Sequence, residues 1–486
     1  MSSPSFTSSA LATRRGQLIL LLLCAVQFLD ILDSSIVNVA LPSIQRDLGF
    51  SQQNLQWVLS GYLVTYGGFL LLGGRAADLL GRRRMLAAGT TLFALCSLAG
   101  GLAPSAGLLV LARLGQGIGA AMMAPAGLSI LTTTFRDGKD RNTALGFWGA
   151  VSGLAAAAGV FLGGVLSEGP GWRWVLLVNL PVCLIIVATI FRLIPGDQTR
   201  ASLANFDALG AILATSGMLL MIYSLVRAPL VGWGTPRTLG ELASAFVLLT
   251  AFVVNERRNP NPLVPFSIFR IKGLTAANTT QLLAFAGFLS VFFFLTLYMQ
   301  TVLGYSPIQA GAAYLPVTVC IIIAAGVSSK LFPRTGTRPV IVVGALLAAT
   351  GMYYLSRVPV DGSYLTDVLP GLAIMAPGLG AVFVGVTTAA NAGVPTNEAG
   401  LAAGLLNTSQ QLGAALGLAI FSAIATNHTN ALLASATPPP AALTAGFQRA
   451  LLASSLTLLV AAVTAMRTNG SRGEVHLPDV ADPLVA

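Results

Sequence analysis

Two aspartates stand in a stretch where the chain offers them no neighbouring partner. Phe28 to Pro42 reads FLDILDSSIVNVALP, inside an apolar run that begins at Leu18. A carboxylate near a bilayer centre costs about 2.5–3.5 kcal/mol on insertion scales, so an acid kept there is a candidate functional group. Asp30 and Asp33 are three positions apart and project about 60° from one another on a helix, and Gln27, Ser34 and Asn38 extend the same polar face. Such a stripe turns to a bundle interior or a wet cavity rather than to lipid. Burial favours the neutral form of a carboxyl and a nearby cation the ionised form, so a change of surroundings can drive proton exchange. The alternative is a static hydrogen bond between helices. Arg113 is the one basic residue that falls inside a span, and its guanidinium stays charged. The deep acids within its reach are Asp30 and Asp33, so the sequence predicts that Arg113 approaches them and biases their protonation.

These residues need helices to hold them in a membrane. Of 486 residues, 55% are hydrophobic and only 9% charged, with mean hydropathy +0.79. A soluble chain carries about 25% charged residues. Apolar segments lie at 17–41, 55–74, 85–103, 106–134, 142–166, 172–194, 206–230, 238–256, 273–303, 308–332, 339–356, 366–391, 400–426 and 446–466. Each is long enough for a span of roughly 20 residues, and fourteen of them return the C-terminus to the side of the N-terminus.

Charge tests that count. With the N-terminus inside, 20 of the 27 basic residues fall on the cytoplasmic side, including Arg136, Arg200 and Arg82 to Arg84; six fall outside, and Arg113 remains within. One miscounted helix would scramble this alternation. The same placement explains the net charge of +10 without nucleic acid. Cys24, Cys96, Cys183 and Cys320 are scattered in apolar runs, and His428 and His476 lie in a late loop and the tail, so neither a metal site nor a disulfide framework is expected. A phosphate loop GxxxxGK[ST], a GxSxG elbow and HExxH are all absent, which argues against ATP-driven pumping and intramembrane hydrolysis.

The chain also repeats itself. GGRAADLLGRRRML (Gly73 to Leu86) aligns with SSKLFPRTGTRPVI (Ser328 to Ile341) at a displacement of 255, bringing Arg75 onto Lys330, Gly81 onto Gly336 and Asp78 onto Pro333. Gly146 and Gly159 fall on Gly404 and Gly417 at a displacement of 258. The expected organisation is therefore an N-terminal tail (1–16), a six-helix bundle (17–200), two inserted helices (201–260), a second six-helix bundle (261–466) and a C-terminal tail (467–486). Paired halves with a site between them near the midplane are a transporter architecture.

Five motifs in order resemble the major facilitator superfamily, specifically its fourteen-helix drug:proton antiporter branch. They are LDSSIVNVALP, GGRAADLLGRRR, LARLGQGIGAA (Leu111 to Ala121), GWRWVLLVNLP (Gly171 to Pro181) and GLLNTSQQLGAALG (Gly404 to Gly417). The resemblance implies an all-α membrane fold and a proton-coupled exporter of amphipathic small molecules in a bacterial inner membrane. It further implies both termini cytoplasmic, a single subunit and no cofactor beyond the proton gradient. Asp33 takes the position of the branch's signature acid and is expected to carry the coupling proton, with Asp30 assisting it or touching substrate. Gly74, Arg75, Asp78, Gly81 and Arg82 are expected to form a latch, Asp78 docking on helix ends of the other half. One position departs: in AAAAGVFLGG, Val160 stands where the antiporter motif has proline. An importer or proton symporter of a nutrient or metabolite is thus the alternative.

Gly115 and Gly119, Gly159 and Gly163, and Gly413 and Gly417 are small pairs suited to close helix packing, whether static or sliding. Gln281, Gln300, Asn407 and Gln411 are uncharged hydrogen-bonding groups expected with Gln27, Ser34 and Asn38 around a substrate cavity.

Overall fold

The computed structural model describes residues 10–50, 55, 57–135, 138–196, 207–395 and 398–472; Arg136, Arg200 and His476 lie outside this set. Fourteen helices among the described residues are long and apolar enough to cross a membrane. In chain order they are α1 (Arg14–Leu48), α2 (Trp57–Leu80), α3 (Arg82–Gly101), α4 (Ala106–Thr134), α5 (Gly138–Glu168), α6 (Arg173–Leu193) and α7 (Ala208–Val231). The series continues with α8 (Pro236–Arg258), α9 (Leu274–Val302), α10 (Ile308–Thr335), α11 (Thr337–Leu355), α12 (Tyr364–Ala390), α13 (Ala399–Ala434) and α14 (Pro439–Ala465).

Local chemistry sets several ends away from the apolar boundaries. α1 runs on to Leu48 because Gly49 supplies the left-handed cap, φ 64°, that stops it. α14 begins at Pro439, seven residues before the apolar run, because proline suits the first helical turn. The two loops matched by the sequence repeat share a backbone device: Gly81 (φ 104°) and Gly336 (φ 78°) turn α2 into α3 and α10 into α11 at positive φ, a conformation costly for any residue with a Cβ.

α1 packs on α5, and α4 on both α2 and α3; across the repeat, α9 packs on α13, and α12 on α10 and α11. The glycine pairs make these approaches possible. A Cβ on Gly163 would lie 2.6 Å from the Ile36 carbonyl oxygen of α1, and one on Gly119 2.9 Å from the Gly89 oxygen of α3. One on Gly417 would lie 2.5 Å from the Ala286 oxygen of α9; Gly159 faces Ser35, Gly115 faces Cys96, and Gly413 faces Leu282. The two groups of helices meet along α2 with α13 and α5 with α10. α7 and α8 pack on each other, and α7 also lies on α2 and α13. Ile222 and Leu219 of α7 fill the flat surface left by Gly67 and Gly68 of α2.

The first and last described residues, near Leu11 and Arg472, lie on one face. Arg15 donates to the Leu193 carbonyl at the end of α6, the Leu11 amide donates to Asp140 at the start of α5, and Asn142 of α5 donates to the Arg472 carbonyl.

Candidate functional site

α1 presents Asp33 to a cage built from α4 and α6. Arg113 Nη1 donates to Asp33 Oδ2 at 2.5 Å, and both side chains are fully buried. Asp33 Oδ1 accepts from Gln116 Nε2 at 3.1 Å and from Asn179 Nδ2 at 2.7 Å. Arg113 also donates to Gln116 Oε1 (2.8 Å) and, through Nε, to the Val58 carbonyl (2.8 Å), while its guanidinium lies 4.5 Å from the Tyr62 ring centroid. Gln116 sits one turn after Arg113 on α4 and is steadied by the Ser97 hydroxyl of α3. Asn179 follows the break at Val178 within α6. A buried ion pair is favoured where its remaining polar atoms are satisfied; these amides do so for the carboxylate, whereas Arg113 Nη2 is buried without a hydrogen-bond partner.

Asp30, one turn away, has a different shell. Tyr62 donates to its Oδ1 at 2.8 Å and Tyr66 to its Oδ2 at 2.6 Å, both from α2. Among the described residues, its bonded partners include no cation. Asp30 can take a proton without breaking an ion pair, whereas a proton on Asp33 would leave Arg113 buried and uncompensated.

Beyond this pair a small cavity separates the halves, with about 30 Å³ of open space, room for roughly two waters. Gln27, Trp148 and Ser152 line it from one half; Gln281, Phe285, Phe383, Asn407 and Gln410 line it from the other. Phe285 and Phe383 stack with centroids 4.7 Å apart. Gln27 donates to Ser152 at 2.8 Å, and Gln281 reaches Gln410 at 3.4 Å. Gln281 Oε1 and Asn407 Nδ2 are buried there without a hydrogen-bond partner.

The structure brings some of the expected cavity residues together and separates others. Gln27, Gln281 and Asn407 line the cavity. Ser34 and Asn38 lie further along α1, half-buried and exposed, each bonded to its own helix. Gln411 sits beside α2, its Cβ facing Gly67. Gln300 does not belong to the cavity: it falls in a π-helical turn, Tyr298–Val302, at the end of α9. Nineteen positions at 1.5 Å each put it about 28 Å along the helix from Gln281. Gln116, Asn179 and Ser97 were the missing members of the acid cage. Gln116 and Asn179 lie inside two of the quoted motifs, Leu111 to Ala121 and Gly171 to Pro181, whereas the sequence signal of Ser97 is a hydroxyl within an apolar span.

At the face carrying the termini, Asp78 of α2 crosses to α13. Its Oδ1 accepts from the Gly400 amide at 3.0 Å and its Oδ2 from the Leu401 amide at 2.9 Å. Glu398, the residue capping α13, makes no side-chain cap bond. The orphan amides of the first turn are thus satisfied from the other half of the molecule. Arg82 donates to Asp78 at 3.1 Å, and Arg75 reaches the Pro262 carbonyl at 3.5 Å. Gly74 allows the approach: a Cβ there would lie 2.6 Å from the Gly400 oxygen. Arg141 of α5 adds a second crossing, donating to the Asn391 carbonyl at 2.7 Å.

Fourteen spans, two packed groups and a polar site between them fit one family, and its model, described as Major Facilitator Superfamily, matches residues 23–418. The chain belongs to the major facilitator superfamily. Among curated members, it is 40% identical over 430 residues to the puromycin resistance protein pur8 of Streptomyces alboniger, covering 87% of this chain and 84% of that protein. It is 39% identical over 414 residues to the cephamycin export protein CmcT of Amycolatopsis lactamdurans, covering 85% of each. The solved human organic anion transporter MFSD10 (TETRAN) superposes with TM-score 0.67 over 93% of this chain and all of that one, at 15% identity. The proton:xylose symporter XylE does so with TM-score 0.65 over 94% and 96%, at 14% identity. The chain is thus a multi-pass membrane transporter of the superfamily, grouped by sequence with proteins named for antibiotic resistance and export.

Proposed function

We propose that this transporter exports amphipathic small molecules of the antibiotic class across a bacterial inner membrane, driven by inward proton movement. The observation that carries the reading is the pair of buried carboxylates on α1, one paired with Arg113 and the other held by two tyrosine hydroxyls, beside a cavity shared by both halves. The resistance and export relatives supply the substrate class. In this reading the face with the termini is cytoplasmic and closed, held by Asp78 on α13, while Ser34 and Asn38 mark the outward path. A proton from outside loads Asp30 first, and Asp33 exchanges only when Arg113 finds other partners. Each ligand need stabilise just one state for alternating access to couple them. Proline is not required at position 160 for the helix contact made there. A Cβ on Gly311 would lie 3.1 Å from Val160 Cγ1, so α5 and α10 already touch closely.

The test is expression in an efflux-deficient bacterium challenged with puromycin and a panel of other antibiotics, with and without a protonophore. Resistance that vanishes with the protonophore is expected. Acid-driven accumulation inside the cell, with no resistance to any compound, would replace the reading with import.

A further inference from the structure

The two inserted helices carry a pair of acids that the α1 site does not use. Asp207 caps α7: its Oδ1 accepts from the Gly210 amide at 2.8 Å, and its Oδ2 from Asn255 Nδ2 of α8 at 2.7 Å. Glu256, the next residue of α8, is only 3% exposed. Its Oε2 accepts from the Val264 amide at 2.8 Å, beyond the end of the helix. Its Oε1 is buried without a hydrogen-bond partner. That oxygen is turned to Asp207. A Cβ on Gly210 would strike both Asp207 Oδ2 and Glu256 Oε1, the latter at 2.5 Å, so the two oxygens crowd one point.

A carboxylate oxygen can only accept hydrogen bonds, and two ionised carboxylates sharing a site repel. A buried acceptor left unmatched also carries its desolvation cost. One proton removes both penalties. It sits on Glu256 Oε1 and is donated to Asp207 Oδ2, because Asp207 already accepts two amide hydrogen bonds while Glu256 Oε1 accepts none.

We propose that Asp207 and Glu256 form a second proton-binding site, separate from α1, whose bound proton joins the ends of α7 and α8 and holds the Pro262–Val264 segment against α2. Pro262 receives Arg75 from the latch, and Val264 packs in an apolar cluster with Phe252 of α8 and Leu401 of α13. When the proton leaves to solvent, two like charges face each other, and the segment on which Arg75 rests is released. The latch end of α2 thereby answers to the pH of the face where Asp78 docks. Among the described residues, the charged and titratable groups acting on Glu256 are Asp207 of α7 and Arg75 of α2. On its own helix, Arg257 stacks over Phe266 and Arg258 is exposed, while α13 brings apolar Leu401 and Ala402. The site does not depend on the substrate or the direction of transport.

Hydrogen–deuterium exchange of the purified full-length protein in micelles tests this, read by mass spectrometry on the segment 259–268 from about pH 6 to about pH 9 and corrected for the intrinsic rate. In the parent, protection should fall at least about tenfold as the pH rises, the factor carried by one unit of proton affinity. Glu256→Gln, whose amide can donate to Asp207 with no proton bound, should stay protected at the alkaline end. Asp207→Asn, whose amide can donate to Glu256, should do the same. Infrared spectra in the same micelles should show a protonated-carboxyl band at neutral pH that the parent loses on alkaline titration and Glu256→Gln lacks. Parent protection that does not change with pH, or an alkaline loss just as large in both variants, would overturn the proposal. So would protection that follows sodium or potassium concentration at fixed pH, which would make a metal ion the occupant.

Discussion

Arg113 and Asp33 meet at 2.5 Å although 80 residues separate them in the chain, and neither side chain touches solvent. This contact ties α1 to α4 and sets the charge on the helix that also carries Asp30. Removing one partner of a buried pair costs about 3–5 kcal/mol, because the survivor is left uncompensated. Arg113→Gln and Asp33→Asn should each lower the unfolding temperature of the purified protein markedly. The double variant should be more stable than the sum of the two losses predicts. Strict additivity in that cycle would mean the pair is not energetically linked.

Asp78 replaces a missing cap on α13, so its loss should be felt as a change of population. A carboxylate at a partly buried helix N-terminus contributes up to about 2 kcal/mol. Asp78→Ala should therefore reduce the closed population of that face by about 5–30-fold. Cross-linking between the end of α2 and the start of α13 measures it. An unchanged cross-linking yield would show that the contact does not hold the face shut.

Gly74 and Gly404 make a graded comparison. A Cβ at Gly74 would lie 2.6 Å from the Gly400 carbonyl oxygen, whereas one at Gly404 would lie 3.1 Å from the Leu70 oxygen. Gly74→Ala should impair transport more than Gly404→Ala, with both proteins present in the membrane. The reverse order would argue that the seam is set elsewhere.

Gln281 and Asn407 offer the cavity an unpartnered acceptor and donor. Gln281→Leu removes a neutral hydrogen bond worth about 0.5–1.5 kcal/mol, roughly twofold to tenfold in affinity. The expected outcome is a changed ranking of exported compounds in a resistance panel, with polar amides losing most. A uniform loss across all compounds would instead point to damage to the fold.

Asp47 lies past the span of α1, where the Trp172 indole donates to it at 2.9 Å and Arg173 at 2.6 Å. The indole hydrogen bond, then the guanidinium, hold its carboxyl below the usual value of 3.8. A group lowered on folding stabilises the protein above its unfolded value and loses that contribution as pH falls through the folded value. Asp47→Asn should thus be less stable than the parent at pH 7, with the gap closing below about pH 4. Thermal unfolding in micelles across that range reads it. A gap that does not narrow at all as the pH falls into the acid range would assign the effect to packing.

Much of the site was legible because buried charge is rare. In a chain with so few deep charges, Arg113 had only two acids to meet, and it met one of them. The division of labour between the acids was not legible. Asp30 and Asp33 differ in sequence by a single turn of the same helix, but Asp33 turns to α4 and α6, while Asp30 turns to two tyrosines of α2. Gln300 shows the opposite failure: its polarity resembles that of Gln281, but the length of α9 carries it away from the cavity.

By itself the sequence determined the fourteen spans, the repeat and the family, because the cost of burying polar groups in lipid and the bias of basic loops act on each segment separately. Only the tertiary structure decided which amides complete the Asp33 cage, that α13 borrows its cap from Asp78, and that Asp30 meets Tyr62 and Tyr66. Those outcomes depend on the rotation and depth of helices from distant parts of the chain. No local pattern of residues encodes that relation until the helices pack.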